Sequence, residues 1–259
     1  LADMSKELFI QAITEGLSAP PAYFFKDAMI NKQGYDSIED VMQKNMKALS
    51  ADEVEAEIKN GAMLLDTRTC ESLERGYIKG SLNIGLNGTY AVWAGTLIDI
   101  NTPLVIVADA GKEQESIQRL ARVGFEKVRG YLKGGFSTWK ESGKTFDTLK
   151  SVSASELAAG VRENSSKVLD VRKLTEIENG HVKNATAIPL AELEANLNAV
   201  PKDVPVMIHC AGGYRSVIAT TMLKAKGFDN VINVRGGWSQ IKQTDVPVEK
   251  GVPSNLVAE

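Results

Sequence analysis

Short runs rich in β-branched residues alternate along the chain with longer segments whose apolar residues recur at helical spacing. Residues 168–171 form one such run. Before it, Ser153 precedes a helical segment and Glu156 follows three residues later, which is the capping box of a helix start. Ser50 and Glu53 repeat this signal. Alternating strands and helices predict an α/β fold with a mainly parallel central sheet and helices on both faces.

The pattern occurs twice. Residues 63–68 (Met-Leu-Leu-Asp-Thr-Arg) recur as residues 167–172 (Lys-Val-Leu-Asp-Val-Arg). The glycine pair at 134–135, followed by an aromatic residue, recurs at 236–237. A period of about 100 residues indicates duplicated domains, because solenoid repeats are only about 20–50 residues long.

The two copies define the predicted domains of this chain of 259 residues. The first copy is assigned to residues 46–146 and the second to residues 147–259. Because the link at 144–151 is short and polar, we expect the domains to touch. Residues 1–45 have no counterpart in either copy, so they are predicted to be an N-terminal arm or the remnant of a preceding domain.

Composition narrows the class of protein. With 43% apolar and 24% charged residues, the chain has the make-up of a soluble globular protein, and no apolar run approaches the roughly 18 residues of a membrane span. A net charge of −3 argues against nucleic acid or an anionic membrane as partner. Two cysteines and no recognisable signal peptide favour a reducing compartment, and we predict a cytoplasmic location.

Cys210 is the candidate nucleophile. It ends the apolar run 206–209 and lies a few residues before the helix-like stretch 217–223. The first N–H groups of a helix have no partner within the helix, so they stabilise negative charge at such a turn. Helix N-termini and nearby cations favour the thiolate form of a cysteine, and Arg215 supplies a cation in the same loop.

The loop after Cys210 supplies the other candidate site residues. Its glycines would let backbone N–H groups converge on the sulfur. Arg215 would orient an anionic donor by a charge-assisted hydrogen bond, and two further side chains would flank the entrance as donors. The predicted substrate-binding residues are Ala211, Gly212, Gly213, Tyr214, Arg215 and Ser216.

These motifs resemble the rhodanese family of sulfurtransferases over about residues 48–143 and 151–245. The segments that carry the resemblance are 169–172, 180–182, 210–216, 227–228 and 234–238. The resemblance implies two rhodanese-like domains and a catalytic Cys210 that holds sulfane sulfur as a persulfide. It further implies a small donor such as thiosulfate, a persulfide or a polysulfide, a thiol or cyanide as acceptor, and neither cofactor nor metal.

Two alternative functions stay open at this point. Cysteine-based phosphatases and arsenate reductases of similar fold use Cys-x5-Arg, whereas Arg215 follows Cys210 after four residues. By the resemblance, the shorter loop fits a sulfur atom better than a tetrahedral phosphate. The other alternative is a binding module in which Cys210 senses oxidants.

The first copy is predicted to be catalytically silent. Its counterpart of Cys210 is Asp109, and a carboxylate cannot accept a sulfane sulfur. Glu113 and Glu115 follow closely and would repel an anionic donor. Asp66 and Arg68 of this silent copy match the second copy's Asp-x-Arg at 170–172, which indicates a structural ion pair in both copies rather than an acid–base pair.

Five other residues are interpreted as structural. We expect His181 to be a packed surface or turn residue, and His209 to end a strand with its ring against a neighbour. Cys70 is interpreted as a bystander, with a resolving or sulfur-relay thiol as the alternative. Trp139 and Trp238 follow the glycine pairs and are expected to pack in the core or at a hinge.

Residues 1–45 carry a further resemblance, based on the segment 20–24 (Pro-Pro-Ala-Tyr-Phe) and the Asn-x-x-Gly motif at 31–34. They resemble the distal part of proteins in which a metallo-β-lactamase-fold domain, often a persulfide dioxygenase or related hydrolase, is fused to rhodanese domains. The resemblance implies such an N-terminal domain in the full-length protein. With two histidines in all, this chain cannot build the metal site of that fold.

Overall fold

The computed structural model of the protein describes residues 4–14 and 37–257. These residues form two α/β domains, each built around a five-stranded sheet. All strand pairs within the two sheets are parallel. The predicted fold class is therefore confirmed.

The strands of the first sheet are β1 (Ala48–Leu49), β2 (Met63–Asp66), β3 (Leu82–Asn83), β4 (Leu104–Val107) and β5 (Val128–Leu132). Those of the second sheet are β6 (Ser151–Val152), β7 (Lys167–Asp170), β9 (Thr186–Ala187), β10 (Val206–His209) and β11 (Val231–Val234). A small antiparallel pair lies outside both sheets and consists of β8 (His181–Val182) and β12 (Val248–Glu249).

The helices before and within the first domain are α1 (Lys6–Thr14), α2 (Ile38–Asn45), α3 (Ala51–Lys59), α4 (Cys70–Arg75), α5 (Tyr90–Leu97), α6 (Glu113–Ala121) and α7 (Gly135–Glu141). Those of the second domain are α8 (Ala154–Arg162), α9 (Leu174–Ile177), α10 (Tyr214–Ala225) and α11 (Gly237–Ile241). Two 3₁₀ turns also belong to it, Leu190–Glu192 and Leu197–Ala199.

The two domains share one topology. The strand order is β1-β5-β4-β2-β3 in the first sheet and β6-β11-β10-β7-β9 in the second. The central strand β10 therefore corresponds to β4, and its neighbour β11 corresponds to β5. Asp66 pairs with Val107 across the first sheet as Asp170 pairs with His209 across the second. In an open parallel sheet, ligands bind beyond the carboxyl ends of the strands, and Cys210 follows the central one.

The two predicted capping boxes are present and start corresponding helices. The Ser50 N–H donates to Glu53 Oε2 at 2.7 Å, and the Glu53 N–H donates back to Ser50 Oγ at 3.3 Å. Ser153 and Glu156 make the same two bonds at 2.7 and 3.2 Å. Each box satisfies N–H groups that the first turn of a helix otherwise leaves open.

The domains touch, as expected from the short link. One apolar cluster contains Leu65 and Ile106 of the first domain together with Leu169 and Ile208 of the second. A polar contact crosses the same boundary, since the N–H of Asn83 donates to Thr221 Oγ1 at 3.0 Å. Helix α10 packs against β3 of the first domain. The second domain is thus packed directly on the first.

The segment before the first copy is only partly described. Helix α2 packs on the first domain and buries Val41, while α1 buries none of its residues. The turn-like segment around Pro20 and Pro21 lies outside the described residues. None of the described helices combines the length and the apolar character needed to cross a membrane.

Candidate active site

Cys210 lies where the central strand of the second sheet meets a helix. Its side chain is 1% exposed, and its Sγ accepts a hydrogen bond from the N–H of Gly213 at 3.1 Å. Gly213 is the N-cap of α10 and has a φ of 105°, a conformation that favours glycine. The turn therefore aims a backbone N–H at the sulfur, as the sequence predicts for a site that holds negative charge.

The glycine pair at 236–237 packs against the turn that carries Cys210. The N–H of Trp238 donates to the carbonyl oxygen of Cys210 at 2.7 Å. A Cβ on Gly237 would lie 2.3 Å from that oxygen, so a side chain has no space there. Gly237 also has a φ of 53°. The repeated Gly-Gly-aromatic motif thus fixes the carbonyl side of the nucleophile by close backbone approach.

Ser216 lies beneath the sulfur. Its residue is fully buried, its Oγ is 3.8 Å from Cys210 Sγ, and its hydroxyl donates to Asn233 Oδ1 at 2.8 Å. The expectation that Ser216 flanks the entrance is wrong. As the third residue of α10, it faces the buried side of a helix that starts immediately after the loop.

Tyr214 points into the boundary between the domains. Its hydroxyl donates to the carbonyl oxygen of Gly85 at 2.7 Å, and its ring lies against Gly88. Burial raises the pKa of the Tyr214 phenol, so it stays protonated and keeps this bond. Tyr214 borders the cleft as expected, but its hydroxyl hydrogen is engaged by the first domain.

Arg215 is held by a carboxylate. Its Nη1 and Nη2 each donate to Glu176 at 2.7 Å, in the two-bond arrangement typical of arginine and carboxylate. The Arg215 guanidinium lowers the pKa of Glu176, and this carboxylate in turn raises the pKa of Arg215. The predicted cation is present near the loop, and an anionic donor would have to compete with Glu176 for it.

A cleft of about 250 Å³ lies between the domains beside the loop. Both domains contribute to its walls. Its lining residues are Arg68, Cys70, Glu71, Glu74, Asn83, Gly85, Asn87, Gly212, Gly213, Tyr214, Val217, Asn233, Arg235 and Gly236. The first copy therefore forms one wall of the cavity next to the nucleophile. Of the predicted site residues, Gly212, Gly213 and Tyr214 belong to this lining, whereas Cys210, Ala211, Arg215 and Ser216 lie outside it. The carbonyl oxygen of Ala211 accepts from the N–H of Ser239 at 3.0 Å.

Charge in the cleft is nearly balanced. Arg235 donates from Nε and Nη2 to Glu74 at 2.8 and 2.9 Å, which ties the second domain to the first. Arg68 is buried against Asp66, with Nη2 2.5 Å from Oδ2. Glu71 is the remaining charged residue of the lining and is exposed.

The Asp-x-Arg motifs are buried ion pairs in both copies, as predicted. In the second copy Arg172 Nη2 lies 2.6 Å from Asp170 Oδ2 and donates to the carbonyl oxygen of Gly180 at 2.8 Å. In the first copy Arg68 makes the equivalent bond to Gly76 at 3.1 Å. Each guanidinium ties the end of one strand to the loop before the next. These pairs support the fold around the site.

The two histidines are buried. His209 stacks on Trp238, with ring centroids 6.3 Å apart, which confirms its predicted place at the strand end. Burial lowers the pKa of His209, so its ring is neutral at pH 7. His181 is 1% exposed within β8, with Nδ1 3.1 Å from the carbonyl oxygen of Ile177, so its predicted surface position is wrong. The pairing of β8 with β12 covers it.

The predicted packing of the two tryptophans holds in the structure. Trp139 is buried in the first domain, while Trp238 is half-buried beside Arg172, whose guanidinium carbon lies 4.6 Å from its ring centroid.

Cys70 opens helix α4 on the first-domain wall of the cleft. Burial raises the pKa of the Cys70 thiol to about 12, so it is protonated at neutral pH. A protonated, half-buried thiol is a poor nucleophile. This agrees with the interpretation of Cys70 as a bystander.

Asn233 was missed by the sequence reasoning. Its side chain is a buried amide in β11. The amide Oδ1 lies 2.8 Å from Ser216 Oγ, and the amide Nδ2 lies 3.6 Å from Cys70 Sγ. The available signal was a single asparagine inside the apolar run 231–234. Asparagine is depleted in strands, so its presence there needs a reason.

The predicted counterpart of Cys210, Asp109, is wrong by one position. Because Val107 pairs with Asp66 as His209 pairs with Asp170, the residue of the first copy that corresponds to Cys210 is Ala108. Asp109 follows β4, and a second cleft of about 260 Å³ lies beside it. Glu115, in α6, is paired with Lys112 and Arg119 at 2.9 and 3.4 Å. In residues 4–14 and 37–257, no group of three or more His, Cys, Asp or Glu side chains could hold a metal ion.

Comparison with known proteins agrees with this architecture. The model of the rhodanese-like domain matches residues 50–142 and again residues 153–244. The chain belongs to the rhodanese family. The N-terminal 49 residues lie outside both matches, so the metallo-β-lactamase-fold neighbour stays a prediction.

Relatives resemble parts of the chain. The uncharacterized protein YqhL of Bacillus subtilis is 33% identical over 92 residues, which cover 36% of this chain and 71% of YqhL. A sulfurtransferase of Allochromatium vinosum is 34% identical over 70 residues, covering 27% of this chain and 65% of that protein. A solved rhodanese-like domain protein from Staphylococcus aureus is 34% identical, with a TM-score of 0.36 over 39% of this chain and 98% of its own. The family and its relatives support sulfur transfer as the general chemistry.

Proposed function

We propose that the protein is a sulfurtransferase that moves sulfane sulfur from thiosulfate or a persulfide to a thiophilic acceptor through a persulfide on Cys210. The observation that carries the proposal is the 3.1 Å hydrogen bond from the Gly213 N–H to Cys210 Sγ at the start of α10. The site holds negative charge in both states of the cycle, on Sγ in the thiolate and on the outer sulfur in the persulfide. A helix N-terminus with a converging N–H stabilises that charge without a metal or a general base.

The reaction balances with these groups alone. The Cys210 thiolate attacks the outer sulfur of the donor, a new S–S bond forms, and the donor's S–S bond breaks with its electron pair leaving on sulfite or on a thiolate. The acceptor then attacks the outer sulfur of the persulfide. Cys210 leaves as a thiolate again, and cyanide becomes thiocyanate or a thiol becomes a persulfide. No net oxidation of the protein occurs.

The surroundings of the loop support sulfur over phosphate as cargo. Arg215, the cation that a phosphate would need, is held by two bonds to Glu176, and a backbone N–H is what contacts the sulfur. Phosphoryl transfer relies on several donors that clamp the equatorial oxygens. The short loop between Cys210 and Arg215 offers little room for such a clamp.

The test is sulfur loading. The protein is incubated with thiosulfate, and separately with a polysulfide, and its intact mass is measured with and without cyanide. We expect an adduct of one sulfur atom that peptide mapping places on Cys210, that cyanide removes as thiocyanate, and that Cys210→Ser does not form. Cys70→Ser serves as the matched control and should load normally. Absence of the adduct with both donors would refute the proposal.

The same samples separate the remaining alternatives. An oxidant sensor would form a sulfenic acid or a disulfide at Cys210 with peroxide and would release no thiocyanate. A phosphatase would hydrolyse an aryl phosphate in a reaction that Cys210→Ser abolishes. The identity of the cellular donor, the thiol acceptor and the cytoplasmic location belong to this proposal as expectations.

A further inference from the structure

We propose that Asn233 is a positioning residue of the sulfur-transfer site, which fixes the Ser216 hydroxyl against Cys210 and ties that hydroxyl to the first domain. This inference rests on the proposed function. Asn233 lies in β11, beside the central strand, and its residue is 1% exposed. A polar side chain at such a place destabilises the fold unless its groups find partners.

The Asn233 amide is satisfied by three side chains from three different elements. Its Oδ1 accepts from Ser216 Oγ at 2.8 Å, and its Nδ2 donates to Ser151 Oγ at 3.1 Å and to Cys70 Sγ at 3.6 Å. Ser151 begins the second domain and Cys70 belongs to the first. One buried amide thus links the helix that starts at the catalytic loop to both domains.

The link ends at the nucleophile. Ser216 Oγ lies 3.8 Å from Cys210 Sγ, which is within contact for a sulfur hydrogen bond, and 3.1 Å from the carbonyl oxygen of Gly213. A hydroxyl has one hydrogen to donate and can also accept. Since Asn233 makes the shortest contact, it determines where the hydroxyl oxygen lies. The oxygen can accept from the Cys210 thiol, and a rotation of the O–H bond would let it donate to the thiolate.

The silent copy supplies an internal comparison. Ser151 pairs with Asn233 in the second sheet as Ala48 pairs with Tyr131 in the first. The first copy therefore has Tyr131 at the position of Asn233, Ala48 at that of Ser151 and, since Val107 corresponds to His209, Ala108 at that of Cys210.

The fold forms in the first copy without the amide network, so the fold alone does not require Asn233. In that copy the Ser116 hydroxyl donates to the carbonyl oxygen of Lys112 at 2.7 Å and lies 3.1 Å from Thr67 Oγ1. The asparagine and its bonds to two serines occur only in the copy that has a cysteine directly after its central strand. We therefore attribute the network to the chemistry at Cys210 and not to the stability of the fold.

The test is a double-mutant cycle on the two half-reactions. Loading of Cys210 by thiosulfate and discharge to cyanide are followed by rapid mixing and intact mass in Asn233→Leu, Ser216→Ala and the double variant. We expect each single variant to slow both steps by about 10- to 100-fold, the scale for a reacting group displaced by about 1 Å. Because Asn233 acts through Ser216, the double variant should be no slower than Ser216→Ala.

Control variants separate positioning from stability. Tyr131→Leu changes the equivalent strand position of the silent copy and should leave both half-reactions unchanged. Asn233→Asp keeps an acceptor oxygen for Ser216 and should recover most of the lost rate. If melting shows that Asn233→Leu is unfolded, Asn233→Ser, whose hydroxyl is too short to reach Ser216, takes its place in the cycle.

Three outcomes decide the inference. Equal rates in Asn233→Leu and in a wild-type protein that loads normally would overturn it. Single-variant losses that multiply in the double variant would also overturn it, since independent residues add in free energy. A wild-type protein that never loads Cys210 would instead refute the proposed function and is recognised before any variant is made.

Discussion

The contact between Gly88 and Tyr214 predicts that one methyl group added to the first domain slows the proposed sulfur transfer at Cys210 in the second. A Cβ built on Gly88 lies 2.5 Å from both Cε2 and Cζ of the Tyr214 ring and 2.9 Å from Cδ2. Gly88 is not among the described residues with positive φ, so alanine suits its backbone. The substitution Gly88→Ala therefore acts by steric conflict with a ring at the start of α10.

The structure gives the scale of the effect. Overpacking by one methyl group costs about 1–3 kcal/mol. Displacing the ring also breaks the Tyr214 hydrogen bond to the Gly85 carbonyl oxygen, with a net loss of about 0.5–1.5 kcal/mol. If about 1.4 kcal/mol of this total is lost in the transition state, kcat/KM falls about tenfold. The melting temperature should fall by several degrees.

The assay compares thiosulfate:cyanide sulfur transfer and thermal melting in Gly88→Ala, Tyr214→Ala and the double variant. Removing the ring removes the conflict, so Gly88→Ala should cost much less in the Tyr214→Ala background. The expected coupling is about 1–3 kcal/mol, which is typical of residues in contact. Equal losses in both backgrounds, or no loss in either, would refute the steric link between the domains.

Three further predictions follow from the charges and thiols around the site. Arg172→Leu leaves Asp170 buried without its partner and should destabilise the second domain by about 3–5 kcal/mol in denaturant unfolding, whereas a loss below about 1 kcal/mol would contradict the buried pair. Because Arg215 lowers the pKa of Glu176 in the folded state, this ion pair stabilises the protein fully above the ordinary glutamate pKa, and the stabilisation is lost as the pH falls through the lowered pKa. Glu176→Gln should therefore flatten the acid part of the curve of stability against pH, and it should lower the KM for thiosulfate because Arg215 becomes free. An acid curve as steep as that of the wild type would refute the pairing. With its pKa near 12, Cys70 should react slowly with iodoacetamide at pH 8 in the native protein and fast once unfolded, as measured by peptide mapping, and equal rates would refute its burial.

The motifs of the second copy predicted the turn around Cys210 correctly, because it depends on local order along the chain. Cys210 ends a strand and precedes a helix in the sequence, so its sulfur had to meet the N–H groups of that helix. The glycine at 213 allows the required positive φ at the N-cap. Comparison of the two halves revealed the duplication, since the repeat is visible in the residues themselves, but it placed the counterpart of Cys210 one residue too late, at Asp109 instead of Ala108.

Partners distant in sequence could not be predicted in this way. Glu176 binds Arg215 across 39 positions, and Gly85 accepts from Tyr214 across 129. The polar groups of both loop residues were therefore expected to face a substrate, although the fold gives each of them a protein partner. Ser216 was placed at the entrance because a sequence position does not show which face of a helix is buried.

The sequence by itself determined the α/β class and the duplication and singled out Cys210 as the candidate nucleophile, because strand–helix periodicity and residue chemistry are local properties. Only the tertiary structure decided that the first copy forms one wall of the cleft, and that Asn233 joins Cys70 to Ser216 across 163 and 17 positions. Such contacts depend on how two sheets pack on one shared core. Packing brings together residues whose separation along the chain carries no signal.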